Sequence, residues 1–169
     1  MSLTINDILL AQNIRRWTIV ATKTDQSLAE HTFNVTMIAR AICAEADIND
    51  NNVIKYALDH DLDEILTGDI PSPAKRRLGL TDAYQGKNGN ISDVEYSIVK
   101  IADLIDATLF IKYNAYDRHG KVVANYTAKK LDQFISKVEM HYPDVANAAE
   151  NVLAMIEHGK YETEVRDGS

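Results

Sequence analysis

Apolar residues recur along most of this chain at the three- and four-residue spacing of a helix that buries one side. Ile5, Ile8 and Leu9 share such a face over residues 4 to about 15. Thr4 is placed to cap this first helix, with Asp7 three residues on in a capping-box role. Residues 18–26 read as a loop. Val35, Ile38, Ala39 and Ile42 mark a second helix, from near Ser27 to about Ala46, and the polar residues 47–52 break it. Ile54, Ala57, Leu58, Leu62, Ile65 and Leu66 mark a third over roughly 53–67, with Gly68 well placed just past its end.

Pro71 and Pro73 then force an extended or turn conformation. Residues 78–91, with Gly79, Gly86, Gly89, Asn88 and Asn90, read as a loop. Ser92 and Glu95 form an S-x-x-E capping box that opens a long fourth helix, about 93–117. A turn is expected at His119-Gly120, followed by helices over about 124–141 and 143–158. Pro143 suits the first turn of the last helix, and Gly159 ends it. Tyr113, Tyr116 and Tyr126 are expected to pack in the core, a pocket or interface being the alternative. No run alternates as a half-buried strand does. The pattern predicts an all-α bundle of five to seven helices.

Composition fits this picture. The chain has 169 residues, about one domain's worth, and 46% of them are apolar, enough for a sizeable core. One domain spanning 1–169 is expected. A net charge of −7 argues against a broad basic face, so no nucleic-acid polymer is expected as a partner. The single cysteine, Cys43, excludes an internal disulfide and a four-cysteine zinc site, and makes the reducing cytoplasm the expected compartment. No stretch reaches the roughly 18 apolar residues of a membrane span, and the N-terminus lacks a signal-peptide pattern.

The chemistry concentrates in histidines and carboxylates on three predicted helices. His31 lies near the start of the second, His60-Asp61 within the third, and Asp103 within the fourth. Two imidazoles and two carboxylates can make a mixed N/O site for a first-row divalent metal, with positions left open. Asp59, Asp61, Asp63 and Glu64 crowd around His60 between apolar residues. On a helix Asp61 and Glu64 would be neighbours, as would His60 and Glu64. Burying carboxylates together is costly unless a cation neutralises them. The other reading of such a run is a solvated acidic face.

Three segments, Ala29-Glu30-His31, His60-Asp61-x-x-Glu64 and Ala102-Asp103, resemble the H…HD…D signature of the HD-domain metal phosphohydrolases. Arg16-Trp17 and the block Leu66-Thr67-Gly68-Asp69-x-Pro71-x-Pro73-x-Lys75 narrow the match. They resemble one branch, that of the bacterial 5′-deoxynucleotidases and the short phage dATP triphosphohydrolases. The resemblance spans about residues 8–116; no motif after about Asp117 matches, and His119, His141 and His158 have no partners at ligand spacing.

The resemblance implies an HD-domain fold and a role for each matching position. His31, His60, Asp61 and Asp103 would ligate the metal, which mixed ligation leaves open as Mn, Co, Fe, Zn or Mg. A metal lowers the pKa of water from about 15.7 toward about 7 and polarises a phosphoryl oxygen. Glu64 would move the proton, or else only orient His60 or a water. Arg16 would grip phosphate through its planar fork, the alternative being a surface salt bridge. Trp17 would lie against base or sugar, or anchor the first helix. Asp69 and Ser72 would meet the sugar, unless they only shape the proline turn. Lys75, Arg76 and Lys100, with Arg77, would serve the phosphate end. Arg76 and Arg77, with a loop over 78–91 shorter than the insert that the resemblance implies for monophosphate members, tilt the expectation toward a deoxynucleoside triphosphate, dATP-like, cut to deoxynucleoside and triphosphate. Monophosphate cleavage is the alternative, and a nucleotide-binding module without turnover is the competing class. Family members often assemble, so a homo-oligomer is expected.

Overall fold

The computed structural model describes residues 3–79 and 91–159, with the side chains of Ser72, Pro73 and Arg76 outside that description. Most of the loop expected over 78–91 therefore lies outside the described residues. In chain order the helices are α1 (Ile5–Ile8), α2 (Leu28–Glu45), α3 (Asn51–Asp59), α4 (Glu64–Thr67), α5 (Ser72–Arg77), α6 (Asp93–Asn114), α7 (Arg118–Glu139) and α8 (Pro143–His158). Five of these, α2, α3, α6, α7 and α8, run nine residues or more, in line with the all-α expectation. Only isolated β-bridges, Arg15 with Ser27 and Thr22 with Ala115, occur among the described residues. No helix there is long and apolar enough to cross a membrane.

Side-chain caps set where helices begin. Thr4, Ser27 and Ser92 each accept the backbone N–H three residues on, and Asp7, Glu30 and Glu95 close the box from the other side. Such caps satisfy N–H groups that have no partner inside the helix. Helices α2 and α6 pack together at the centre, with α3, α7 and α8 around them. Val35, Ala39 and Ile42 of α2 meet Ile98, Ile101 and Ile105 of α6 in a fully buried apolar cluster. Each such branched side chain gains about 1.5–3 kcal/mol by leaving water. Cys43 belongs to this cluster, and burial pushes its thiol up to about 11.

Four expectations are corrected. The first helix is one turn of α-helix followed by a 3-10 segment over Leu9–Asn13, and Ile5 and Leu9, expected on a buried face, are exposed. Tyr113, Tyr116 and Tyr126 are also exposed rather than core. The turn expected at His119-Gly120 is helix: Asp117 accepts the Gly120 N–H at 2.6 Å and starts α7 at Arg118. Gly120 is needed for close approach, since a Cβ there would lie 2.6 Å from Ala115 Cβ. Finally, the third helix is not continuous. It stops at Asp59, and a turn over residues 60–63 precedes α4. Gly68, at φ +71°, ends α4 in a conformation that other residues adopt reluctantly.

Candidate metal centre

The break after α3 comes from His60 itself. Its Nδ1 lies 2.7 Å from the Ala57 carbonyl, the acceptor that a continued α-helix would reserve for the Asp61 N–H. The chain instead makes tight bonds, Leu62 N–H to Asp59 O and Glu64 N–H to Asp61 O. A carbonyl only accepts, so Nδ1 carries the proton and donates it there, which leaves Nε2 with its lone pair free. Nε2 is buried and has no hydrogen-bond partner among the described residues.

His31, near the start of α2, also turns a buried Nε2 toward the site, by another route. It is fully buried, and its Nδ1 lies 2.6 Å from Asp106 Oδ2. The carboxylate also accepts Gln26 Nε2 and Asn34 Nδ2, each at 2.8 Å. His31 Nε2, like that of His60, is buried without a hydrogen-bond partner among the described residues. The two rings stand 5.4 Å apart, tilted by 52°. One turn of α6 earlier than Asp106, Asp103 brings Oδ1 to 3.4 Å from His31 Nε2. Ligand atoms of His31, His60 and Asp103 all lie within 4.8 Å of one another. Asp61 Oδ2 stands 3.4 Å from His60 Nε2 and 3.6 Å from His31 Nε2. Two buried Nε2 atoms without hydrogen-bond partners among the described residues, facing half-buried carboxylates, are a donor set that a divalent cation completes.

Three fixed cations ring these acids. Arg16 Nη1 donates to Asp61 at 3.0 Å and lies 3.8 Å from Glu64 Oε2. Its backbone is held by a bond from Arg16 N to Gln26 O, beside the Arg15–Ser27 bridge, so the guanidinium is part of the site and not a surface pair. Lys75 Nζ donates to Glu64 Oε1 at 2.6 Å, and Lys100 Nζ to Asp103 Oδ2 at 2.5 Å. Burial pushes Glu64 up to about 7; neighbouring Asp61 adds to this, while Arg16 and Lys75 oppose it. Burial also works against ionisation of Asp61, but the His60, His31 and Arg16 side chains outweigh it and hold that carboxyl well below the usual range. For His31, burial and Arg16 act downward, yet the facing Asp103, Asp106 and Asp61 carboxylates carry it up to about 10.

Trp17 stands beside Arg16 at φ +63°, a strained conformation for so bulky a residue, costing about 1–3 kcal/mol. Three contacts hold it: its N–H donates to Asp69 at 2.9 Å, Nε1 donates to Gln26 at 3.0 Å, and its ring lies near-parallel to Phe110. Asp69 is therefore engaged with the Trp17 backbone. Of the remaining candidates, Lys75 and Lys100 sit at the site paired to acids, Arg77 is exposed, and the side chains of Ser72 and Arg76 lie outside the described residues. The sequence reading passed over Asp106 and Gln26. The signal for Asp106 was its place three residues after Asp103, on the same side of a helix; Gln26 carried none.

Comparison with known proteins gives a consistent set. Residues 6–86 match the model of the 5′-deoxynucleotidase YfbR-like family. The chain is 31% identical over 156 residues to a dATP triphosphohydrolase of Salmonella phage PMBT28, covering 81% of this chain and 80% of that one. It is 34% identical over 137 residues to the dATP triphosphohydrolase of Cyanophage S-2L, covering 73% and 78%. Among solved structures, the Cyanophage S-2L HD phosphohydrolase DatZ, bound to dA and one catalytic Zn2+ ion, superposes with a TM-score of 0.81. That superposition covers 95% of this chain and 99% of that one, at 23% identity.

Proposed function

The chain belongs to the HD-domain phosphohydrolases of the 5′-deoxynucleotidase and phage dATP triphosphohydrolase branch, and from that membership we propose how its site works. It is a metal-dependent hydrolase of the 5′ phosphoester of a deoxynucleotide. The substrate is a deoxynucleoside triphosphate, dATP-like, cut to deoxynucleoside and triphosphate. The observation that carries the mechanism is the convergence of His31, His60 and Asp103 within 4.8 Å, beside a buried Glu64.

His31, His60, Asp61 and Asp103 hold the divalent metal, with Nε2 of both imidazoles as nitrogen donors. The metal supplies Lewis acidity, lowering the pKa of water and polarising a phosphoryl oxygen. Arg16 and Lys75 orient phosphate oxygens, and Lys100 keeps Asp103 ionised. Glu64 exchanges the proton: with a pKa of about 7 it can take one from water and return it to the departing 5′-oxygen near neutral pH. Trp17 presents its ring to base or sugar. Asp69, already holding the Trp17 backbone, and Ser72 meet the sugar, and Arg76 adds charge at the phosphate end.

Three supports stand behind the triphosphate reading. The two phage relatives are named for it, Arg16, Lys75 and Lys100 supply cations around the site's acids, and the long matches extend beyond the stretch shared with the YfbR-like model. The test is product analysis. Each dNTP and dNMP is incubated with Zn²⁺, Co²⁺ or Mn²⁺, and nucleoside, phosphate and triphosphate are separated. Nucleoside plus triphosphate is expected. Nucleoside from monophosphates alone would select the 5′-deoxynucleotidase, and bound metal without any product would select a nucleotide-binding module. Self-association belongs to the same reading. Exposed Phe33 and Met37, one turn apart on α2, support it, and light scattering tests it.

A further inference from the structure

Gln26 is nearly buried, at 3% exposure, although it lies in a loop and on no helix. Both ends of its amide are spoken for. An indole N–H only donates, so Oε1 accepts Trp17 Nε1 at 3.0 Å. An ionised carboxylate only accepts, so Nε2 donates to Asp106 Oδ2 at 2.8 Å. The same Oδ2 accepts His31 Nδ1 at 2.6 Å, and Asn34 fixes the other oxygen at 2.8 Å. A continuous chain of hydrogen bonds thus runs from the Trp17 indole through Gln26 and Asp106 to the back of His31. The front of that imidazole, Nε2, faces Asp103 and Asp61.

The dipeptide Arg16-Trp17 closes the circuit. Arg16 grips Asp61 directly, while Trp17 reaches His31 from behind. Asp69 pins the backbone between the two. Partners that orient a ligating histidine from its far side set its tautomer and basicity, and losing them costs about 10- to 100-fold in metal affinity or activity. We propose that Gln26 is a positioning residue that, through Asp106, couples metal occupancy at His31 to the placement of the Trp17 ring. The site therefore reports at the substrate-facing loop whether its metal is present. The inference rests on the metal-centre reading above.

Trp17 is the only tryptophan of the chain, so its emission reports this one ring. The probe is Zn²⁺ alone, without nucleotide, with affinity measured by competition against a chromophoric chelator. In the unaltered protein Zn²⁺ is expected to shift or quench the emission. Gln26→Leu, which keeps the bulk and removes both bonds, is expected to abolish that response and weaken zinc binding by about three- to tenfold. Asp106→Asn is expected to weaken it by about 10- to 100-fold. An emission that ignores zinc in the unaltered protein overturns the proposal. So does a Gln26→Leu protein that binds zinc within twofold of normal and keeps the full response. Should Gln26→Leu fail to fold, Trp17→Phe removes the same bond from the other end. Zinc affinity is then expected to fall by about two- to fivefold, and unchanged affinity overturns the coupling. A protein that binds no zinc at all removes the metal-centre reading as well, whereas normal zinc binding with an unresponsive relay removes only this inference.

Discussion

One turn of α2 separates His31 from Val35, and both are fully buried, yet they belong to opposite kinds of interior. From Val35 onward α2 meets α6 through Ala39, Ile42, Ile98, Ile101 and Ile105, an apolar cluster whose packing does not depend on the direction of a bond. At the His31 end the same two helices enclose Asp103, Asp106 and Lys100, with Asp61, Glu64, Arg16 and Lys75 brought from elsewhere. Apolar burial is roughly proportional to area and tolerates swaps that keep volume. A buried polar cluster has no such tolerance, because each removed partner leaves another group unsatisfied. The dry end stabilises the helix pair. The polar end draws on that stability to keep two imidazole rings and several carboxylates where water would otherwise separate them.

This contrast can be broken in steps. The largest effect is expected from His60→Ala. Removing one of the two nitrogen donors should take hydrolysis to background and abolish the rise in melting temperature that Zn²⁺ gives, with helicity by circular dichroism retained. Next, Glu64→Gln keeps shape and should bind metal normally, but turnover should fall by about 10²- to 10⁴-fold because the proton carrier is gone. Loss of folding in place of loss of turnover would mean that Glu64 serves the interior and not the reaction.

At the dry end the expectation reverses. Ile101→Ala should lower unfolding free energy by about 2–5 kcal/mol in urea, while zinc affinity of the folded fraction stays within a few-fold. A large loss of zinc affinity would show that the two ends are not separable. Chelation is the complementary experiment. Zinc at 100 times its dissociation constant should add about 2.7 kcal/mol of stability, lost on adding EDTA. The smallest effect belongs to a position remote from both ends. Gly120→Ala would set a Cβ 2.6 Å from Ala115 Cβ and should cost about 1–3 kcal/mol without changing metal binding.

Most of the helical scaffold is legible along the chain. The boxes at Thr4 and Ser92, Pro143 at the first turn of α8, and the apolar stripe of α2 act within one or two turns, so neighbours in sequence specify them. The site is legible in part. His31, His60, Asp61, Asp103 and Glu64 stand out because buried acids and imidazoles are anomalous among apolar neighbours. Helical spacing misleads at His60, where a ring-to-carbonyl bond ends α3 early and turns the dipeptide inward.

Sequence by itself determined which segments are helical, where several begin, and, through the family resemblance, which acids and histidines to expect at one site. Only the tertiary structure decided which oxygen faces which nitrogen. His31 finds Asp106 at a separation of 75 residues, Gln26 finds it at 80, and Asp69 reaches Trp17 across 52. No local rule acts over such distances. Those partners are chosen only when α2 and α6 have packed, and the choice is then forced, because a donor sealed from water must take the nearest acceptor the packing provides.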